Sequence, residues 1–408
     1  NRWGLLERFG VELEYMIVDT GSLQVRPIAD KIVHAIGLSP KNEVKHGSLR
    51  WSNELVLHVI ELKTDGPVRR LDGLAERFQN EVQFLNEMLA EYACMLLPTA
   101  MHPWMNPLTE TKLWPHGNRT IYETFDQIFG CRGHGWSNLQ STHLNLSFGD
   151  ATEFKRLHDA IRLVLPLLPA LAASSPFEEG KFSGHLDRRL ENYRQNCARL
   201  PSVTGKVVPE AIGSPEAYET QILQTIARDV KPFDTKQVLH PEWVNARGAI
   251  PRFSRGAIEI RVLDIQENPA MDLAILEATV GLLRAFLAES FVSNTDQHAI
   301  STEVLAELFL AVVAKGRAAR VTDSALLRAY GKSGKKAHSV GDLIAAMLEK
   351  TTPKASPWRP AVDAILEHGN LAERLRKAAG TSHSQILLRE IYEELASCLA
   401  TGEPFRLD

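Results

Sequence analysis

The sequence predicts an α+β protein: one antiparallel sheet with helices packed on its apolar face, a polar face that floors a site, and a C-terminal part made of helices. Three observations lead there. Segments far apart in the chain alternate strictly, with apolar residues on one side and acids, histidine or arginine on the other. Between them lie stretches with apolar residues at helical spacing. After Pro269 the helical pattern takes over. Alternation of this kind belongs to a sheet covered on one face and wet on the other.

Each element can be read in order. Residues 8–19 and 54–63 are β-branched, apolar and alternating, and are expected as strands. In the first, Glu12 and Glu14 share one face while Val11, Leu13 and Tyr15 share the other. Residues 71–92 place Leu71, Leu74, Phe78, Val82, Leu85 and Leu89 on one helical stripe. Residues 93–101 read as a buried strand. Residues 102–138 hold Trp104, Trp114 and Trp136 among prolines and glycines, with a short helix expected at TIYETFDQIF; such a loop-rich stretch is a lid, a pocket wall, or a surface loop. STHLNLSFG at 141–149 alternates, with His143 and Asn145 on its polar side. A helix over about 152–173 should bend or stop near Pro166 and Pro169. AIEIRVLD at 257–264 alternates with Glu259 and Arg261 on one face. We expect a catalytic sheet domain over 1–290 and a helical extension over 291–408 packed on it.

Composition narrows the function classes. Hydrophobic residues make up 44% and charged residues 24% of 408, ordinary for a protein with a real core. A net charge of −4 gives no electrostatic reason to expect nucleic acid. The apolar run RLVLPLLPALAA is too short to cross a bilayer and holds two prolines, so no membrane role is expected. Cys94, Cys131, Cys197 and Cys398 are far apart and form no CxxC pair; reduced thiols and a cytoplasmic setting are the expectation.

The chemistry gathers on the polar faces. Glu12, Glu14, Glu61, His143, Asn145, Glu259 and Arg261 form a floor of carboxylates with one imidazole, a donor set suited to hard divalent ions such as Mg²⁺ or Mn²⁺. Arg247, Arg252, Arg255 and Arg261 lie close together in NARGAIPRFSRGAIEIR, and arginine suits forked recognition of phosphate. Together they suggest a nucleotide phosphate over a metal floor. Neither GxxxxGK[ST] nor GxGxxG occurs, so a P-loop or dinucleotide fold has no support.

GVELEY, ELVLHVIELKT, STHLNLSFG, ALAASSPFEEGKFSG and NARGAIPRFSRGAIEIRVLDIQENPAMDLAI, running from about residue 8 to 285, resemble the glutamate–cysteine ligase type 2 family of carboxylate–amine ligases. The last also resembles the glutamine synthetase metal-site strand. The resemblance implies the glutamine synthetase-like fold, a curved antiparallel sheet flanked by helices. It implies an ATP-dependent ligase that phosphorylates a carboxylate with Mg²⁺ or Mn²⁺ and passes the acyl group to an amine. A non-catalytic nucleotide- or metal-binding regulator and another ATP-dependent phosphotransfer enzyme are the alternatives. The implied partners are a small-molecule carboxylate such as glutamate and an amine acceptor, with a homodimer through paired strand edges as a further expectation.

The same resemblance implies residue roles. Glu12 and Glu14 serve one metal cluster each, and Glu54 and Glu61 match the family's acid pair. His143 matches the metal-binding or phosphate-facing histidine of its strand, and Glu259 a late metal-ligand position. Arg247, Arg252 and Arg255 fall to the nucleotide, with Arg252 and Arg261 at the reacting phosphate. Arg188, Arg189 and Tyr193 are candidate substrate contacts. Two departures stand out. Asn145 occupies a position where many relatives carry a second histidine. The odd spacing of Glu54 and Glu61 sends them to opposite faces of an unbroken strand, so a bulge or a loop must intervene, or Glu54 is no ligand.

Overall fold

The computed structural model describes residues 3–37, 42–334, 336–381 and 384–407. Its centre is an eight-stranded antiparallel sheet. The strands are β1 (Phe9–Asp19), β2 (Glu43–His46), β3 (Leu49–Asn53), β4 (Val59–Thr64), β5 (Cys94–Leu97) and β6 (Ser141–Ser147). A short ribbon, β7 (Phe177–Glu178) with β8 (Lys181–Phe182), stands apart, and β9 (Ala249–Arg252) and β10 (Ala257–Asp264) complete the sheet. The order is β2-β3-β4-β1-β6-β10-β9. β1 is long enough to pair with β6 along its first half and β5 along its second.

The apolar face of the sheet explains the helices. Val11, Leu13, Tyr15 and Ile17 of β1 are fully buried, as are Leu144, Leu146, Ile258 and Ile260 on neighbouring strands. Helices Leu74–Ala90, Ala151–Val164 and Pro269–Leu287 supply the opposing side chains, among them Phe78, Val82, Leu85, Phe154, Ile161 and Leu276. As expected, the helix from Ala151 ends at Val164 and the backbone passes through a 3₁₀ turn before Pro169. Among the described residues from 294 to 401, helices are joined by short turns and loops and by one short pair, Arg320–Val321 with His338–Ser339. Apolar residues between Ile300 and Ile365 join the same core, whereas Leu371, Leu375, Leu388, Tyr392 and Leu395 form a second cluster with Met16 and Val18 from the other face of β1 and Leu97 of β5. None of the described helices is long and apolar enough to cross a membrane.

Two strands are shorter than the sequence predicts. The second begins at Val59 rather than 54, because residues 55–57 pair elsewhere: Val56 bridges Leu113, and the Leu57 amide donates to the Lys112 carbonyl. The strand expected over 93–101 ends at Leu97, where Pro98 has no amide to donate and Thr99 turns the chain with φ +77°.

Candidate active site

The register of four central strands builds a grid on the polar face. Glu14 stands directly opposite Glu61, and Glu12 stands between Lys63 on one side and His143 on the other. Gly10 and Glu259 both pair with Asn145. Glu54 arrives from outside this grid, on the loop after Asn53, which resolves its odd spacing: it enters from a loop. A cavity of about 900 Å³ lies over the grid.

Two groups of ligand atoms cluster there, each with all its atoms within 4.8 Å of one another: Glu12, Glu61 and His143, and Glu14, Glu54 and Glu61. Glu61 belongs to both. A set of carboxylate oxygens with one imidazole suits a hard divalent ion. The acids are held in register by polar neighbours. Ser141 donates to Glu14 Oε2 from its amide (2.7 Å) and its hydroxyl (3.0 Å). The ring of His143 lies 2.9 Å from Glu12 Oε2, and Asn145 Nδ2 donates to Glu12 Oε1 at 3.1 Å. Lys63 Nζ is 3.0 Å from Glu61 Oε1 and 3.4 Å from Glu43 Oε2. Asn145 is thus a hydrogen-bond donor to the floor.

The electrostatics follow from burial. Burial, then the Glu12 charge, raises the Glu61 carboxyl to about 7, against the pull of Lys63 and Ser52. Burial and the charges of Glu14 and Glu61 push Glu54 well above the ordinary carboxylate range. Burial raises Glu12 too, but the hydrogen bond and charge of His143 outweigh it and the net shift is downward. His143 moves up, because Glu12 and Glu14 overcome its desolvation. Protons on this floor therefore occupy sites that a metal ion would claim.

One wall is cationic. Glu259 is 4% exposed and paired with Arg261, whose Nη2 donates to its Oε1. Arg252 Nε lies 3.4 Å from its other oxygen. Desolvation raises the Glu259 carboxyl, but the charges of Arg261, Arg252 and His143 hold it far below the ordinary value. Glu259 faces the cavity and stands outside both ligand groups, its oxygens paired with two guanidiniums. Arg255 also lines the cavity, exposed and without an ion pair among the described residues. The left-handed Gly256 (φ +61°) that closes the β9–β10 hairpin sets it on the rim. Arg247 is the exception among the four arginines. It is 3% exposed, donates to both oxygens of Glu210 at 2.6 and 2.8 Å and to the Ser202 carbonyl, and does not line the cavity.

The opposite wall comes from the loop-rich stretch. Helix Arg119–Phe129 presents Tyr122 and Phe125, and Trp136 joins them. Tyr122 is tied to the floor's edge by Asn53 Nδ2, 2.9 Å from its hydroxyl. Arg189 and Tyr193 line the cavity, with Arg189 2% exposed and its Nε donating to Asp264 Oδ1 at 2.5 Å; Arg188 turns to Glu178 at 2.8 Å. Lys63 was missed in the sequence, although its spacing from Glu61 sets it on the same face. Trp243, on a four-residue helix at the cavity mouth, and Cys197 carried no readable signal. The Cys197 thiol is pushed up to about 12 by burial, so it is a poor nucleophile.

Residues 8–394 match the profile of glutamate-cysteine ligase family 2. The chain belongs to that family. As a member of glutamate-cysteine ligase family 2 it is an ATP-dependent ligase that forms C–N bonds. An uncharacterized protein of Archaeoglobus fulgidus is 34% identical over 397 residues, 97% of this chain and 99% of that protein. A protein of Gloeobacter violaceus named "Putative glutamate--cysteine ligase 2" is 22% identical over 396 residues, 96% of each chain. Among solved structures, the glutamate–cysteine ligase of Francisella tularensis in complex with AMP superposes with a TM-score of 0.62 at 12% identity. The match covers 98% of this chain and 90% of that one, and shows that the family 2 ligase shares its fold.

Proposed function

We propose that this enzyme activates a small-molecule carboxylate by phosphoryl transfer from ATP and couples the resulting acyl phosphate to an amine. The observation that carries this reading is the pairing, across one cavity, of two carboxylate groups sharing Glu61 with a wall of arginines. Glu12, Glu61 and His143 would hold one Mg²⁺ or Mn²⁺, and Glu14, Glu54 and Glu61 a second. Such ions supply charge neutralisation between an anionic nucleophile and the γ-phosphate. Arg255, on the rim and with no ion pair among the described residues, receives ATP phosphates. Arg252 and Arg261 stabilise the transferring group, with Glu259 holding both in place. Arg247 supports β9 through Glu210 rather than touching nucleotide.

A side cavity of about 420 Å³ shares Glu12, Glu43, Lys63 and Arg255 with the main one and is bounded by Trp3, Arg8 and Phe9; it suits the nucleoside. The carboxylate substrate then lies toward Arg189 and Tyr193, with Tyr122, Phe125 and Trp136 keeping water from the acyl phosphate. Glutamate is the first carboxylate to test. The thiol-poor chemistry of the cavity disfavours a phosphotransfer enzyme that works through a reactive cysteine.

The test is ADP release with ATP and Mg²⁺, screened over amino acids singly and in pairs with amines. ADP that requires both a carboxylate and an amine supports the ligase reading and names the pair. ADP release with no second substrate points to an ATPase. ATP and metal binding with no ADP from any pair favours a regulator.

A further inference from the structure

We infer that Lys63 is an exchangeable counter-ion: it holds the Glu61 position while no metal is bound, and turns to an ATP phosphate when a divalent ion arrives. The inference rests on the ligase reading of the cavity. Lys63 follows Glu61 by two residues on β4, so both project from the same face. Its Nζ stands against Glu61, the carboxylate that both metal groups require, and the register sets it directly opposite Glu12. A lysine in this spot does what an ion would do: it relieves repulsion among carboxylates.

The arrangement also provides a way out. An ion held by Glu12, Glu61 and His143 would repel a nearby ammonium while neutralising the acids that hold it. Lys63 lines both the main and the side cavity, so rotation of its four-carbon stem, without backbone movement, carries the charge from one to the other. A second anion already holds Nζ between the two cavities: Glu43, which lines both, has its Oε2 3.4 Å away and its side chain 47% exposed. In the proposed nucleotide pose a phosphate would stand nearby, and a lysine binds phosphate as a mobile point charge. The Glu61–Lys63 pair would thus couple metal arrival to nucleotide capture.

The test is Mn²⁺ binding by calorimetry without nucleotide, then binding of β,γ-imido-ATP at saturating Mn²⁺, for wild type, Lys63→Met and Lys63→Arg. Exchange predicts opposite signs: K63M binds Mn²⁺ about tenfold more tightly and the nucleotide about tenfold more weakly, both consequences of removing one charge at close range. K63R should recover nucleotide affinity. If K63M weakens both ligands together, Lys63 is a structural strut and the exchange is wrong; unchanged affinities overturn it equally. If wild type takes up neither Mn²⁺ nor the nucleotide, the ligase reading itself fails.

Discussion

Replacing Glu61 with Gln should make the metal-free protein more stable and the metal-loaded protein less so. Glu61 lies under the cavity, 5% exposed, opposite Glu14 and near Glu12. Its carboxyl is raised from an ordinary 4.5 to about 7. The sign follows from proton binding: between those values the folded state holds more protons than the unfolded chain, so stability falls as pH rises. Below 4.5 there is no penalty, and above 7 it is complete. The rise corresponds to about 3 kcal/mol at pH near 8. That raised value is already net of the Lys63 attraction and of the Ser52 hydrogen bond. The amide keeps the acceptor oxygen for Ser52 Oγ, 2.5 Å away. The net gain for E61Q in EDTA is therefore about 3 kcal/mol. Manganese should reverse the order. Two ions, each at a hundred times its dissociation constant, add about 5 kcal/mol, and E61Q has lost the one ligand common to both groups. Urea denaturation near pH 8, in EDTA and in Mn²⁺, reads both effects. If E61Q is less stable than wild type in EDTA, or gains as much from Mn²⁺, the assignment of Glu61 as a buried, shared ligand is wrong.

Metal uptake near pH 7 should release protons, because Glu54 and Glu61 are raised; calorimetry in two buffers of different ionisation enthalpy measures the number, and affinity should fall as pH drops below about 7. Glu14→Gln should lower turnover about a hundredfold or more while circular dichroism stays unchanged, since the amide oxygen still accepts from Ser141; wild-type turnover at saturating metal would remove Glu14 from the ligand set. Glu259→Gln should lower turnover and also the urea midpoint, because Arg252 and Arg261 lose the carboxylate that pairs them; an unchanged midpoint argues against that holding role. Cys197→Ser should keep activity within about twofold, and native protein should resist iodoacetamide at this thiol, which is raised to about 12.

The floor was legible in the sequence because a strand forces residues two apart onto one side. Glu12 with Glu14, His143 with Asn145, and Glu259 with Arg261 all fall where alternation sends them. Pairing was not legible: nothing local says that Glu14 faces Glu61 rather than a neighbour two residues along. Nor does spacing reveal what an arginine is bonded to. Arg247 and Arg252 look alike in sequence, yet one is spent on Glu210, brought from a distant loop, and the other borders the cavity. Glu54 shows the converse: its awkward spacing was the signal of a loop, formed because Val56 and Leu57 pair with residues 112–113. The wall helix at Arg119–Phe129 could be seen as a helix, but its placement over the acids depends on contacts such as Asn53 with Tyr122 that no periodicity encodes.

Glu12 and Glu14 are neighbours on one strand, so the gap between the two ligand groups is set by the backbone repeat, roughly 7 Å over two residues, and not by rotamers. Mutation cannot tune that gauge without slipping the register and turning buried Leu13 and Tyr15 out into water. Freedom to vary lies elsewhere, in the segments around Tyr122–Trp136 and Glu242–Ala246 that stand over the floor. A new acceptor amine would be won by redrawing these two rims, with the proposed phosphate-transfer machinery beneath left untouched, and a library aimed at altered specificity belongs there.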